Sequence, residues 1–242
     1  MILLRSLLFN IVFYGSTFLI VLPATVVRLI SPAGVMPLAR FWTRFVLANL
    51  RLICRIRIQI DGLDNLPAGP ALIASRHESA FDTLLWPTLA PRFCFVLKQE
   101  LLRIPLFGKL LLATGMIAID RDGGGATIRS MVRQAEQAVK DGRQIVIFPE
   151  GTRAPPGVLL PLHPGVAALA SRTGLPVIPV ETDSGTLWGR ESFLKRPGVI
   201  RVVIHPPLGT DLGRIELMRQ LEAALSKTLK ARRAAPMPSE ES

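Results

Sequence analysis

The sequence is short of acidic groups at its start: no aspartate or glutamate occurs before Asp61. Cysteine is nearly absent. Cys54 and Cys94 stand alone in apolar surroundings without a CxxC spacing, which excludes a disulfide framework and a zinc site and fits a reducing compartment. Histidine is scarce too, with only His77, His163 and His205. There is no GxSxG elbow, no phosphate loop of the Walker type, no HExxH and no internal repeat. Aromatic residues make up 6%, too few for base stacking along a nucleic acid, and no nucleic-acid-binding motif occurs.

What is present is an oily, basic chain. Of 242 residues, 49% are hydrophobic and only 19% charged, yet the formal net charge is +11. Arginines spread over an apolar protein indicate a membrane surface and anionic substrates rather than a solvated basic tail. The length suffices for one domain with a full core plus an appendage.

That appendage is the N-terminus. Ser6 to Val27 carry no charge, long enough to cross a bilayer core, which needs ~20 apolar residues. Gly15 and Pro23 are potential breaks. A second apolar stretch, Val35 to Ile56, carries Arg40, Arg44, Arg51 and Arg55 at intervals that put them on one helical face, as in a helix lying at a membrane surface. Two arrangements fit: a single span, or a hairpin dipping into one leaflet. The arginines that follow the first segment place the remainder on the cytoplasmic face, in a bacterium that of the inner membrane.

From about residue 58 short apolar runs alternate with helical patterns. Strands are expected at 71–75, 93–97, 116–119, 144–148, 176–180 and 199–204, and helices at 126–140, 166–172 and 215–232. The alternation predicts an α/β fold with a mixed, largely parallel sheet flanked by helices. The expected organisation is helical anchor (1–57), α/β domain (58–233) and a disordered tail (234–242).

Three constellations carry candidate chemistry. In "SRHESAFDT" (75–83), His77 and Asp82 are five residues apart, ~140° around a straight helix, so they meet only if His77 lies in the turn before the helix. Ser79-x-x-Asp82 is also a capping box, and on these residues alone capping and catalysis are equally good explanations. "IFPEGTR" (147–153) reads as a buried strand running into Glu150, Gly151, Thr152 and Arg153. It is either a phosphate-holding strand end or a polar turn with an ion pair. "GMIAIDR" (115–121) ends in Asp120 and Arg121, which makes Arg121 either a further phosphate ligand or part of a charged turn. His163 and His205 read as structural.

The ordered set His-x4-Asp, G-x-I-x-I-D-R, F-P-E-G-T-R and V-I-P-V resembles the four-block signature of the glycerolipid acyltransferase family, and within it the bacterial 1-acyl-sn-glycerol-3-phosphate acyltransferases. The likeness covers about residues 58–210 and includes "VLKQELLRIPLFGKLL" (96–111). Two positions depart from the usual pattern: Arg76 stands where many members have Asn, and His163-Pro164-Gly165 replaces a Lys-Gly pair. The resemblance implies the family's α/β fold and transfer of an acyl chain from acyl-CoA or acyl carrier protein to the sn-2 hydroxyl of lysophosphatidic acid, with no metal and no bound cofactor. It implies His77 as general base, Asp82 as its partner, and Arg121, Glu150, Gly151, Thr152 and Arg153 at the acceptor phosphate, with Lys98 as a further anion-recruiting residue. The expected partners are thus the lipid acceptor, the acyl donor and an anionic membrane surface, and no nucleic acid. The same chemistry on a lyso-ornithine lipid or glycerol 3-phosphate, a serine-dependent lipid hydrolase and a silent lipid-binding protein are the competing readings.

Overall fold

The charge-free N-terminal run forms one continuous helix, α1 (Ile2–Ile30), which neither Gly15 nor Pro23 breaks. A short turn follows, and α2 (Val35–Cys54) folds back against α1. The computed structural model describes residues 1–90, 92–120 and 124–227. Arg55 adopts the left-handed conformation (φ 56°) that ends α2, and the pattern switches at once from helical to alternating. Ile56, Ile58 and Ile60 then share one face of β1 (Ile56–Asp61), a strand that the apolar texture of the preceding helix concealed. The expected boundary after residue 57 therefore falls inside a strand.

The remaining elements are β2 (Leu72–Ser75), α3 (Phe81–Leu89), β3 (Phe93–Lys98), α4 (Phe107–Ala113), β4 (Ile117–Ile119), α5 (Gly124–Lys140), β5 (Gln144–Ile147), α6 (Gly165–Thr173), β6 (Val177–Thr182), β7 (Gly198–Ile204) and α7 (Arg214–Leu225). Each of the six expected strands and three expected helices is present, with ends shifted by one or two residues, except that α7 ends at Leu225 where the expected helix ran to 232; residues 228–242, including the end of that helix and the expected tail, lie outside the described residues. The buried face of α5 runs through Met131, Val132, Ala135 and Ala138 and leaves Ile128 exposed.

Among the described residues the strands form one seven-stranded sheet in the order β1-β7-β6-β2-β5-β3-β4. All neighbours are parallel except β6 and β7. The central strands β2, β5 and β6 are buried along their whole length, as a sheet covered on both faces requires. Alternation divides them between two cores. Ile73, Val146, Ile178 and Val180 face α2 and α3, whereas Leu72, Ala74, Ile145, Ile147 and Val177 face α5, α6 and α7.

The N-terminal helices join the first of these cores. Phe9 of α1 and Val46, Leu50 and Cys54 of α2 are fully buried against it, and Phe9 meets Trp188 edge-on at 5.4 Å between ring centroids. The opposite sides remain bare. Arg44 and Arg51 are exposed on α2 and Arg55 just past its end, whereas Arg40, expected on the same face, is half-buried; α1 exposes Leu4, Ile11, Phe18, Leu19, Leu22 and Leu29, among others. By length and composition α1 could cross a membrane, and only 17% of its most apolar window is buried. The hairpin is thus docked on the domain along one edge and presents an apolar surface along the other.

Candidate active site

Three adjacent parallel strands, β6, β2 and β5, end side by side, and the loop after each contributes to one cluster. Ligand sites in open α/β sheets lie at this end of the strands. From the end of β2 come Arg76, His77, Glu78 and Ser79; from β5 come Phe148, Glu150 and Arg153; from β6 comes Ser184.

Asp82, in the first turn of α3, is the organising group. Its Oδ2 accepts the backbone N–H of Glu78 (2.7 Å) and of Ser79 (2.8 Å) and lies 3.2 Å from Nδ1 of His77. Its Oδ1 accepts the hydroxyl of Ser184 at 2.7 Å. Ser79 Oγ in turn accepts the N–H of Phe81 at 3.1 Å, which completes a reciprocal cap at the start of α3. The two readings of "SRHESAFDT" are therefore one structure: the cap that starts the helix also sets the carboxylate against the imidazole.

This arrangement selects the histidine tautomer. A carboxylate already holding three donors can only accept from His77, so the proton sits on Nδ1 and the Nε2 lone pair is left free. Among the described residues Nε2 forms no hydrogen bond, and the side chain retains 13% of its exposure. Phe148 stacks on the imidazole with centroids 4.1 Å apart and planes within 19°, holding the ring's tilt.

Behind the histidine lies a buried ionic cluster. Arg76, Glu78 and Glu150 are almost completely buried. Arg76 contacts Glu78 at 2.9 Å and Glu150 at 3.8 Å, and donates to the carbonyl of Val158 at 2.6 Å. Glu78 accepts the N–H of Gly185 at 3.1 Å. Glu150 accepts the N–H of His77 at 3.1 Å and of Leu160 at 3.3 Å. One guanidinium cannot neutralise two desolvated carboxylates. Burial accordingly pushes the Glu78 carboxyl up to about 7, with Arg76 opposing the rise, and burial raises Glu150 as well, against the N–H of His77.

Glu150 therefore does not face a phosphate. Its carboxylate is turned inward and braces the backbone of His77, as does the N–H of Ala154 on the His77 carbonyl at 2.7 Å. Gly151 takes φ 69°, which lets the chain reverse after the strand, and Thr152 is exposed. Arg153 lines a cavity of about 570 Å³ together with Asn10, Phe13 and Tyr14 of α1, Ala80 and Trp188. Lys98 is half exposed and pairs with Glu100 at 2.9 Å, not with any member of the cluster. Arg121 lies outside the described residues. His205 pairs with Glu181 at 2.9 Å away from the cluster, and His163 contributes its N–H to the Pro149 carbonyl at 2.8 Å. Among the described residues no group of three histidine, cysteine or carboxylate side chains is placed to hold a metal ion.

Two contributors carry no signal in the sequence. Ser184 reaches Asp82 across 102 positions of chain. Lys195, 3% exposed, donates to Asn10 Oδ1 (2.7 Å) and to the carbonyls of Ser192 and Phe193, with its charge 5.2 Å above Trp188. It pins the loop after β6 to α1 and closes the cavity wall, and burial lowers its pKa.

Two predictions follow from this geometry. Ser184→Ala should reduce kcat about tenfold, the loss expected for one hydrogen bond to a charged group. An unchanged kcat would remove Ser184 from the network. For Glu78, a carboxyl raised from about 4.5 to about 7 gives stability that is full below its unfolded pKa and is lost as the pH rises through 7. Thermal unfolding of the wild type should thus fall in midpoint from pH 5 to pH 8. Glu78→Gln should flatten that slope, and equal slopes would contradict the assignment.

Comparison with known proteins places this geometry. An acyltransferase family model matches residues 57–182, which holds His77, Asp82 and the 147–153 block. The chain is 35% identical over 192 residues to the 1-acyl-sn-glycerol-3-phosphate acyltransferase of Pseudomonas aeruginosa, covering 78% of this chain and 75% of that one. It is 30% identical over 172 residues to the mouse 1-acyl-sn-glycerol-3-phosphate acyltransferase alpha, covering 69% of this chain and 60% of that one. The crystal structure of the 1-acyl-sn-glycerophosphate acyltransferase PlsC from Thermotoga maritima superposes with a TM-score of 0.75 over 98% of this chain and all of that one, at 22% identity, a likeness of fold. With the family model, the bacterial relative and the shared fold in agreement, the chain belongs to the acyltransferase family.

Proposed function

We propose that this acyltransferase moves a fatty acyl group from acyl-CoA or acyl carrier protein to the sn-2 hydroxyl of 1-acylglycerol 3-phosphate, giving phosphatidic acid. The reading is carried by one observation, the Nε2 lone pair of His77 left free by the hydrogen bonds on Asp82. The names of the relatives support the acceptor.

A thioester is already activated, since its thiol leaving group has a pKa of ~8.5. The weak partner is the neutral hydroxyl. Nε2 of His77 removes its proton as the oxygen attacks the thioester carbonyl carbon. The imidazolium so formed is stabilised by Asp82. The tetrahedral intermediate collapses with cleavage of the carbon–sulfur bond, and the proton held on Nε2 passes to the departing sulfur. The new ester bond replaces the thioester, and no acyl-enzyme intervenes. General base catalysis of this kind contributes ~10²–10⁴-fold.

Arg153 fits the acceptor phosphate, because it lines the same cavity as Ala80, which lies in the turn that follows His77. Gly151 and Thr152 precede Arg153 in the same loop, and with Arg121 and Lys98 they remain candidates for further anion contacts. Glu150 acts on the phosphate side only through its hold on the loops. The apolar outer face of α1 fits insertion at the cytoplasmic face of the cell inner membrane, where lipid acceptor and product reside, and the arginines of α2 suit anionic headgroups.

The test is a pair of variants assayed with lysophosphatidic acid and an acyl donor. His77→Ala should lower kcat by ~10²-fold or more in a folded protein. Arg153→Ala should raise KM for the acceptor while leaving KM for the donor unchanged. Retained turnover in the first variant would reject the base, and an unchanged acceptor KM in the second would reject the phosphate ligand.

A further inference from the structure

Beyond α1, one segment exposes apolar side chains on a deliberately stiff backbone. It runs from the end of β3 into α4, residues 99–113. Leu101, Ile104, Leu106, Phe107 and Leu112 all keep more than a third of their surface in solvent. Leu106 has φ 62° and ψ −53°, and the N–H of Phe107 closes back on the carbonyl of Pro105 at 2.7 Å. That is a γ-turn of the strained, positive-φ kind, which a leucine adopts only when the surroundings impose it. Gly108 completes the constraint: a Cβ there would lie 2.0 Å from the carbonyl oxygen of Leu102, so only glycine lets the chain wind this tightly. Strain of this sort usually buries a side chain or serves a ligand, but here it holds Leu106 and Phe107 outward.

The prong is continuous with the N-terminal hairpin. Leu110 of α4 is buried against Ala24 of α1 and Val35 of α2, with Val21, Val27 and Leu38 around them. The exposed side chains of α1 at Leu22, Val26 and Leu29 belong to this same end of the hairpin. The charges around the prong are one-sided. Arg103 and Lys109 are exposed, and the segment's one acid, Glu100, is held by Lys98 at 2.9 Å. An apolar tip with a basic rim fits the boundary between acyl chains and anionic headgroups.

We propose that residues 101–112 form a second membrane contact: a preformed apolar prong inserted with the end of the α1–α2 hairpin into an anionic lipid leaflet. The proposal rests on the reading of α1 as a membrane element. Two contacts, one at the hairpin and one beyond β3, would fix the tilt of the sheet on the bilayer, which a single helix leaves free to rotate.

The test uses the full chain with Phe107→Cys carrying an environment-sensitive fluorophore; Cys54 and Cys94 are both buried and do not compete for it. Leu19→Cys labelled the same way reports on α1. Vesicles of phosphatidylcholine with about 30% phosphatidylglycerol are added. Blue-shifted emission at both positions, quenched by spin labels on the acyl chains, is the expected result. A shift at 19 without one at 107 overturns the prong and leaves the α1 reading standing; no shift at either overturns both. A blue shift at 107 before vesicles are added, showing burial against a second copy, also overturns it. Leu106→Gly combined with Ile104→Ser provides the independent check. Glycine suits the positive φ, so the unfolding midpoint should hold or rise while vesicle affinity falls roughly tenfold. Unchanged affinity would reject the proposal.

Discussion

Four hydrogen-bonding groups converge on the carboxylate of Asp82, and the site depends on that convergence. Two are backbone N–H groups of the turn that carries His77, one is the imidazole itself, and one is the hydroxyl of Ser184 from the far side of β2. Because the backbone donors fix the turn, the histidine cannot move without breaking the helix cap. Because the carboxylate has only acceptor capacity, the histidine is held in the one tautomer that leaves Nε2 basic. Helix capping and base orientation are served by the same atoms, so a substitution at Asp82 harms both at once.

The cluster of Arg76, Glu78 and Glu150 extends this logic one layer inward. Buried ion pairs contribute little net stability, since desolvation offsets their attraction. What this one supplies is connection. Glu150 ties the 147–153 loop to the N–H of His77, Glu78 ties the histidine turn to Gly185 beside Ser184, and Arg76 joins the two carboxylates and the Val158 carbonyl. Three loops from three strands are thereby locked around one imidazole. Lys195 continues the chain of contacts to α1, so the apolar helix is joined to the loop beside His77 and Asp82 by buried polar bonds as well as by packing.

Much of this was legible in the sequence, for reasons particular to each part. Strands β2, β5 and β6 announced themselves as short apolar runs because both sheet faces are covered. His77 and Asp82 are local to one turn, so their spacing and the capping pattern could be read together. β1 was hidden because the switch from helix to strand happens at a single left-handed residue, Arg55, inside an apolar stretch. Ser184 and Lys195 could not be found, since their partners lie 102 and 185 positions away and neither sits in a recognisable pattern. For Glu150 the motif gives the residue but not the direction of its side chain, which here points into the protein.

The outer surface follows from the same economy. The hairpin docks by Phe9, Val46 and Leu50 and leaves its other face apolar, while the 99–113 segment stiffens a second apolar tip beside it. The protonation of the imidazole can be read by nitrogen NMR of the protein labelled with 15N-histidine in detergent micelles, with His77 assigned by its loss in His77→Ala. The neutral ring should carry its proton on Nδ1, hydrogen-bonded to Asp82, with Nε2 unprotonated. A proton on Nε2 of the neutral ring in the resting enzyme would contradict this assignment.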